Sequence, residues 1–368
     1  MASTTVPPSA EIADILDSPE IASLIAEVDA LRWTGRKGYG ARTLIGACLV
    51  KSVYAIPTWT RVAALIGEHA ALQASIGGAP SEWACYRFAR KLREHKPLLD
   101  ACLARIANAL RERMPDLGVD VAIDASDLPA YANGQRFLSR DGPERKRFSD
   151  PEASWGHRSA VSTRKGGGFY GWKIDAAVCT RTGLPLAWEV RTAKIAELHA
   201  VPTLLDGLKA RGFMVATMTA DKGYDYGPVH DACRTRVIVP VIARRKFAGE
   251  GEWTEHPTCE HGDWTFAGAD FKRHATKWRC PTGECSPKSV WVKADRRHPL
   301  VPRGSKRFGD LYRGRAAVER EFGNLKHRYG LGPLRVRGLA RVQLHADLTM
   351  LARLSQALAR ARAVPLAA

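Results

Sequence analysis

Two β-prone runs that each stop at an aspartate limit what this chain can fold into more than any other feature. Val119-Asp120-Val121-Ala122-Ile123-Asp124 has a period of two, which sets Val119, Val121 and Ile123 on one face of a strand over 119–124. Asp124 stands at its C-terminal end, followed by Ala125-Ser126. A second run, 213–220, stops at Asp221-Lys222-Gly223-Tyr224-Asp225. Strands are also expected at 169–178 and 185–191, joined by the turn Thr180-Arg181-Thr182-Gly183, and at 237–242. Helices are expected near 197–211 and 226–235. An antiparallel meander followed by alternating helices and strands predicts an α/β fold. Functional groups in such sheets collect where strands end, and Pro240 suits an edge position.

Further along, Tyr312, Arg315, Glu319 and Lys326 follow one another at steps of three, four and seven residues. At about 3.6 residues per turn they share one stripe of a helix, with Val318, Phe322 and Leu325 forming a second, apolar stripe. One carboxylate between two permanent cations suits phosphate chemistry: the acid ligates a divalent metal while Arg315 and Lys326 hold phosphate oxygens. The same spacing also suits an exposed salt bridge worth a few tenths of a kcal/mol. Glu321, about 200° round the helix from Glu319, is expected to tolerate substitution.

Two strand-terminal aspartates and a helical glutamate can converge on one point. Three close carboxylates repel, and some take up protons unless a cation holds them. Hard oxygen ligands in an open site suit Mg2+ or Mn2+, and a pair of ions activates an attacking oxygen and stabilises a leaving one. Taken singly, each aspartate also suits a turn or helix cap.

These residues resemble the bacterial insertion-sequence transposases of the DDE class that carry a YREK signature; the helix motif matches at every spacing. Tyr170-Gly171-Trp172-Lys173, the apolar run after it, and Thr182-Gly183-Leu184-Pro185-Leu186 are similar to the family's second and third strands. The resemblance spans roughly 30–360 and implies a ribonuclease-H-like catalytic core, Asp124, Asp221 and Glu319 as catalytic acids binding two Mg2+ or Mn2+ ions, and Tyr312, Arg315, Lys326 and Lys173 as DNA contacts. It also implies double-stranded DNA partners, namely transposon terminal inverted repeats and target DNA, and a homodimer on DNA. One departure lies after the third strand, where Ala193-Lys194-Ile195-Ala196-Glu197-Leu198-His199 replaces the usual Ala-Asn and His-Asp, leaving Lys194 and Glu197 without an assigned role. A ribonuclease-H-like nuclease without strand transfer would share fold and acids. A catalytically inactive domesticated DNA-binding protein would usually have lost an acid, and none is missing here.

The net charge of +18 fits a polyanionic partner. Residues 272–341 carry 19 Lys and Arg against five Asp and Glu, so most of the surplus surrounds the motif helix. No run approaches the roughly 20 apolar residues of a membrane span, and no leader pattern opens the chain, so a cytoplasmic, nucleoid-associated location is expected. No Walker-type loop indicates a nucleotide cofactor. Lys165-Gly166-Gly167-Gly168 suits either a phosphate approach or a turn before a strand.

The division expected is a tail and short helix over 1–30, a helical DNA-binding domain over 31–118, a first core part over 119–242, a strand-rich insertion over 243–308, and a second core part over 309–368 ending in a helix near 339–363. Helices are expected at 42–54, 61–68, 81–94 and 98–113, with Ser81 as an N-cap. The third shows Arg87, Arg90 and Lys91 between apolar Trp83, Phe88 and Leu92, which suits a recognition helix or an ordinary basic helix. In the insertion, Trp253, Trp264, Trp278 and Trp291 suit either stacking on an unpaired base or a small core. Most of the eight cysteines sit in apolar segments, a reduced-compartment pattern. Cys259, His261, Cys280 and Cys285 are candidate ligands of a structural zinc, with free cysteines as the alternative.

Overall fold

The structure, a computed structural model, describes residues 8–31, 38–132, 148–158, 165–249, 251 and 253–363. Helices α1 (Pro8–Asp17), α2 (Pro19–Asp29), α3 (Ala41–Val53), α4 (Trp59–Glu68), α5 (Ala70–Ile76), α6 (Glu82–Glu94) and α7 (Lys96–Arg113) come first. Short α5 had no sequence signal beyond the pair Leu72 and Ile76, both buried. Ser81 caps α6 as expected, its Oγ accepting from the Ala84 N–H at 3.3 Å.

The main sheet contains β1 (Asp120–Pro129), β2 (Ser154–Arg158), β3 (Gly167–Cys179), β4 (Pro185–Thr192), β5 (Thr217–Ala220) and β6 (Val239–Ile242). Its order is β4-β3-β1-β5-β6, with β2 also paired to β3. β3 runs antiparallel to β1, β2 and β4, whereas β1, β5 and β6 are mutually parallel. The result is a mixed sheet, as the α/β reading expected, with Pro240 on the edge strand β6. Val121, Ala122 and Ile123 are all fully buried because β1 is central and covered on both faces.

Two strand readings need correction. β1 does not stop at Asp124 but continues to Pro129, because long β3 goes on pairing with it as far as Gly171. The second strand starts at Thr217 rather than 213; Met214 is 84% exposed in the approach to it.

Helices cover both faces of the sheet. α8 (Val201–Ala210) and α9 (Gly227–Thr235) flank β5, and α8 packs on β3 and β4. Short strands β7 (Thr258–Cys259), β8 (Gly262–Asp263), β9 (Thr265–Asp270), β10 (Ala275–Arg279) and β11 (Ser289–Lys293) follow. After them come α10 (Lys306–Tyr312), α11 (Ala316–Arg328) and the 25-residue α12 (Leu339–Ala363). α12 contacts β4, α7, α3 and α1, so the N-terminal helices share one hydrophobic core with the sheet. Its start is capped from far away in sequence: Asp150 accepts from the Gly338 N–H and Glu152 from the Leu339 N–H. Among the described residues no helix is long and apolar enough to cross a membrane.

Glu321 is not the tolerant surface acid its helical angle suggested. It is 4% exposed and joined to Arg353 of α12 at 2.7 Å, because α12 covers the face of α11 that looked free. Replacing Glu321 by Ala takes the carboxylate from a mostly buried guanidinium and should cost about 3 kcal/mol. The double replacement Glu321→Met, Arg353→Leu should recover most of that loss. Chemical denaturation of the three proteins measures both effects, and full stability in the Glu321→Ala protein would show that the pair does not matter.

Candidate active site

The site forms where β1 and β5 part. Their parallel pairing ends with Ala122 opposite Thr219, and two residues further along each chain stand Asp124 and Asp221. β5 terminates at Ala220, while β1 continues beside β3, so the acids line the opening that β5 leaves. Asp221 caps the turn after β5, its Oδ1 accepting from the Gly223 N–H at 2.7 Å. A Cβ on residue 223 would stand 2.8 Å from that oxygen, which explains the glycine.

Burial pushes the Asp124 carboxyl up to about 7, and the charges of Asp221 and Glu197 push the same way. The Ala125 N–H, 2.8 Å from Asp124 Oδ1, and the Arg315 guanidinium oppose the rise. Tyr224, 1% exposed, packs into the same ring of charge: Asp124, Asp175, Glu197 and Asp221 all act on its hydroxyl after burial itself, which holds that group in its neutral form.

The motif side chains do not share one continuous α-helix. Tyr312 ends α10, Arg313–Arg315 form a single 3-10 turn, and α11 carries Glu319 and Lys326. Gly314 sits at this break because a Cβ there would lie 2.9 Å from the Thr180 side chain. The stripe survives the break. Arg315 Nη1 donates to Glu319 Oε1 at 2.5 Å, and its guanidinium lies 5.8 Å from the Tyr312 ring centre. Lys326 Nζ donates to Ser126 Oγ at 2.6 Å and to the Asp127 carbonyl at 2.7 Å, fastening α11 to the far end of β1. Burial raises the Tyr312 hydroxyl, with Asp221 and Glu319 adding to the effect and Arg315 opposing it.

Glu319 therefore lies against Arg315 rather than against the two aspartates. Among the described residues, the group of three or more Cys, His, Asp or Glu whose ligating atoms all lie within 4.8 Å of one another is Cys259, His261, Cys280 and Cys285, not the three acids. The Arg315 guanidinium takes the third carboxylate.

Three features escaped the sequence reading. Glu197 holds Lys173 at 2.6 Å and its charge reaches Asp124, so the stretch that departs from the family pattern still places an acid beside the site. Lys173 is 8% exposed and its charge is met by Glu197. Two residues along β3, Asp175 is fully buried against Arg191 at 2.8 Å, and Arg191 also donates to the Ala196 and Glu197 carbonyls. Burial pushes Asp175 up to about 7 even against that guanidinium. Lys194 uses its backbone N–H on Ser154 and leaves its side chain exposed. Asp225 is fully buried among Arg245, Arg296 and Arg303 at the root of the insertion. A polar motif ending in a second aspartate was its only trace in the sequence.

Basic and aromatic side chains elsewhere fall into two groups. On α6, Arg87 and Arg90 are exposed and Lys91 is half-buried, but Trp83 is 65% exposed instead of packing inward, and lies 6.0 Å from Tyr86. In the insertion, Trp264 and Trp278 are core residues, whereas Trp291 is 45% exposed between Arg273 and Lys277. Trp253 is sandwiched by Arg244 and Arg297. A depression of about 440 Å³ between α9 and the insertion is lined by Arg234, Lys293, Arg296 and Arg297, away from the acids.

With this geometry in view, the chain matches a family model described as the transposase DDE domain over residues 116–354. No curated protein matches it. Among solved structures it overlaps a piggyBac transposase synaptic complex with hairpin DNA at a TM-score of 0.42 and 10% identity, covering 99% of this chain and 78% of that one. So loose an overlap carries no argument.

Proposed function

Because the chain belongs to the transposase DDE domain family, we propose that it cuts DNA at the ends of a bacterial insertion sequence and joins the freed 3'-hydroxyls to target DNA. Asp124, Asp221 and Glu319 are the acids of that reaction. The observation that supports this most is the departure of Asp124 and Asp221 from neighbouring parallel strands at the level where those strands part. Arg315 acts on Asp124 and holds Glu319, and Lys326 reaches Ser126, two residues beyond Asp124.

The donor set fits Mg2+ or Mn2+: these are carboxylate oxygens with no thiol or imidazole among them. Held by the three acids, a pair of such ions would sharpen the attacking oxygen and offset charge on the leaving one. A zinc in the insertion would be structural and take no part in this chemistry. The protein's own work is positioning and charge. Arg315 is shared between Glu319 and the cleft, so its remaining N–H groups can hold a DNA phosphate. Tyr312 sets its hydroxyl beside Asp221 and stays un-ionised, which suits donation to the DNA backbone. Lys326 locks α11 to the end of β1 through Ser126 and the Asp127 carbonyl, and brings a positive charge to that end of the strand. Arg87, Arg90 and Lys91 on α6 would grip the terminal repeats of double-stranded DNA, with two chains bridging two ends in the bacterial cytoplasm. Residues 243–308 would act as an insertion domain between two parts of the catalytic core.

Labelled end DNA and a target plasmid test this directly. With Mg2+ or Mn2+, cut ends and joined products should both appear; with chelator, neither should. Cutting without joining would favour a nuclease, and binding without cutting an inactive DNA-binding protein.

A further inference from the structure

We infer that Cys259, His261, Cys280 and Cys285 hold one tetrahedral zinc ion, and that this ion is what folds the insertion. The distances carry the argument. Zn–S bonds of about 2.3 Å and Zn–N bonds of about 2.0–2.1 Å at tetrahedral angles set S···S near ~3.8 Å and S···N near ~3.5 Å. Cys259 Sγ lies 3.9 Å from Cys280 Sγ. His261 Nδ1 lies 3.8 Å from Cys259, 3.8 Å from Cys280 and 3.5 Å from Cys285. All four atoms are within 4.8 Å of one another. Three sulfurs and a nitrogen at these separations leave a central space of the size the ion needs.

The imidazole is turned the right way. Nδ1 faces the sulfurs, and Nε2 faces outward to Glu284 Oε2 at 3.0 Å. A carboxylate on the far nitrogen fixes the tautomer in which Nδ1 carries the lone pair and raises its basicity, the usual arrangement behind a metal-binding histidine. Glu284 adjoins Cys285 in sequence, so one loop supplies both a ligand and the outer partner.

The supporting elements are too slight to stand alone. Cys259 and His261 sit on the β7–β8 hairpin, whose strands are two residues each and whose Gly262 has φ +108°. Cys280 and Cys285 sit on the loop from β10 to β11, closed by the Cys280 N–H donating to the Lys288 carbonyl. Among the described residues, the hydrophobic cluster under these strands has Trp264, Trp278 and Cys280 as its buried members, and β9 starts with three exposed residues. So small a core needs a metal or cross-links. The ion would join the hairpin to the three-stranded sheet β9-β10-β11, one face of which carries buried Trp278. The alternate face carries Trp291 with Lys277 opposite.

This site is independent of the cleavage reaction, and its test reads metal and folding rather than activity. Full-length protein purified in reductant without added metal should contain one zinc per chain by elemental analysis. Cobalt exchanged for it should give the visible absorption of a tetrahedral thiolate site. The pair Cys280→Ser, Cys285→Ser should lose the metal, while Cys233→Ser, a buried thiol on α9, should keep it. If the double variant does not fold, chelator treatment of the unaltered protein reads the same point: proteolysis within 253–300 should quicken on the order of ten-fold. Metal-free protein whose insertion resists protease as well as before, or a Cys259–Cys280 disulfide in unreduced protein, overturns the inference.

Discussion

Asp124→Asn, Asp221→Asn and Glu319→Gln proteins should bind end DNA as the unaltered protein does and cut it on the order of 10³ times more slowly, or not at all. Each change keeps the side-chain shape and removes one anionic oxygen donor. Gel-shift and end-cleavage assays on the same preparations separate the two effects; normal cutting by the Glu319→Gln protein removes the assignment. Asp124→Asn carries a second, opposite consequence. A carboxyl held up at about 7 in the folded protein, against its ordinary 3.8, binds its proton more tightly folded than unfolded. Its contribution to stability is therefore present in full below the ordinary value and lost once the pH has passed about 7. In metal-free protein, raising the pH from 5 to 8 should cost on the order of 1–3 kcal/mol, discounted because the group is partly exposed. The Asn variant should lose the Asp124 share of that slope, keep the share of Asp175, which is also pushed up to about 7, and be the more stable protein at pH 8. Added Mg2+ should stabilise the unaltered protein and not the variant. Denaturant titrations at the two pH values decide; an unchanged slope in the variant means that Asp124 is not the group responsible.

How far the sequence reached depends on whether an interaction is local. Period-two alternation found β1, and the C-terminal helix expected near 339–363 is α12, Leu339–Ala363. Where β1 ends was not legible, because Asp124 remains in a strand only through pairing with residues of β3 about fifty positions away. The motif spacing identified which side chains gather, yet not the 3-10 turn at Arg313–Arg315, which answers to a tight approach between Gly314 and Thr180. Glu321 shows the same limit from the other side. Its angle on α11 was read correctly, but α12 covers that angle. Trp83, Trp264, Trp278 and Trp291 have the same residue type and take opposite places, since burial is decided by what packs above each one. Glu197 and Asp225 were in view as letters, and only the chain's return gave them partners.

Asp225→Ala should be among the most damaging single changes outside the three acids, with a loss of about 3–5 kcal/mol. The carboxylate is fully buried, and burial alone would raise its pKa. His230 at 2.9 Å, the Arg245 N–H at 2.9 Å and the Arg303 guanidinium at 3.3 Å reverse that and hold it below the usual carboxylate range. Arg296 adds a contact at 3.0 Å. His230 belongs to α9, and the arginines come from both ends of the insertion: Arg245 as the chain leaves β6, Arg296 and Arg303 as it returns toward α10. Arg303 then bonds the Ile242 carbonyl at 2.9 Å, closing the root onto the sheet edge. Removing the carboxylate takes from the mostly buried Arg296 and Arg303 the anion they share, with Arg303 left to Glu255 at 3.3 Å, and loosens the two ends. Because the folded pKa is depressed, the stability this group supplies is present above the ordinary carboxylate range and lost as the pH falls through it. The Ala variant should therefore show a weaker pH dependence below the ordinary carboxylate range, a lower denaturation midpoint at pH 7, and protease cuts between 243 and 308. Asp231→Ala, which removes an exposed acid paired with Arg234 on the neighbouring helix, should stay within about 0.5 kcal/mol of the unaltered protein. Equal stability of the two variants would mean that the insertion is fastened elsewhere.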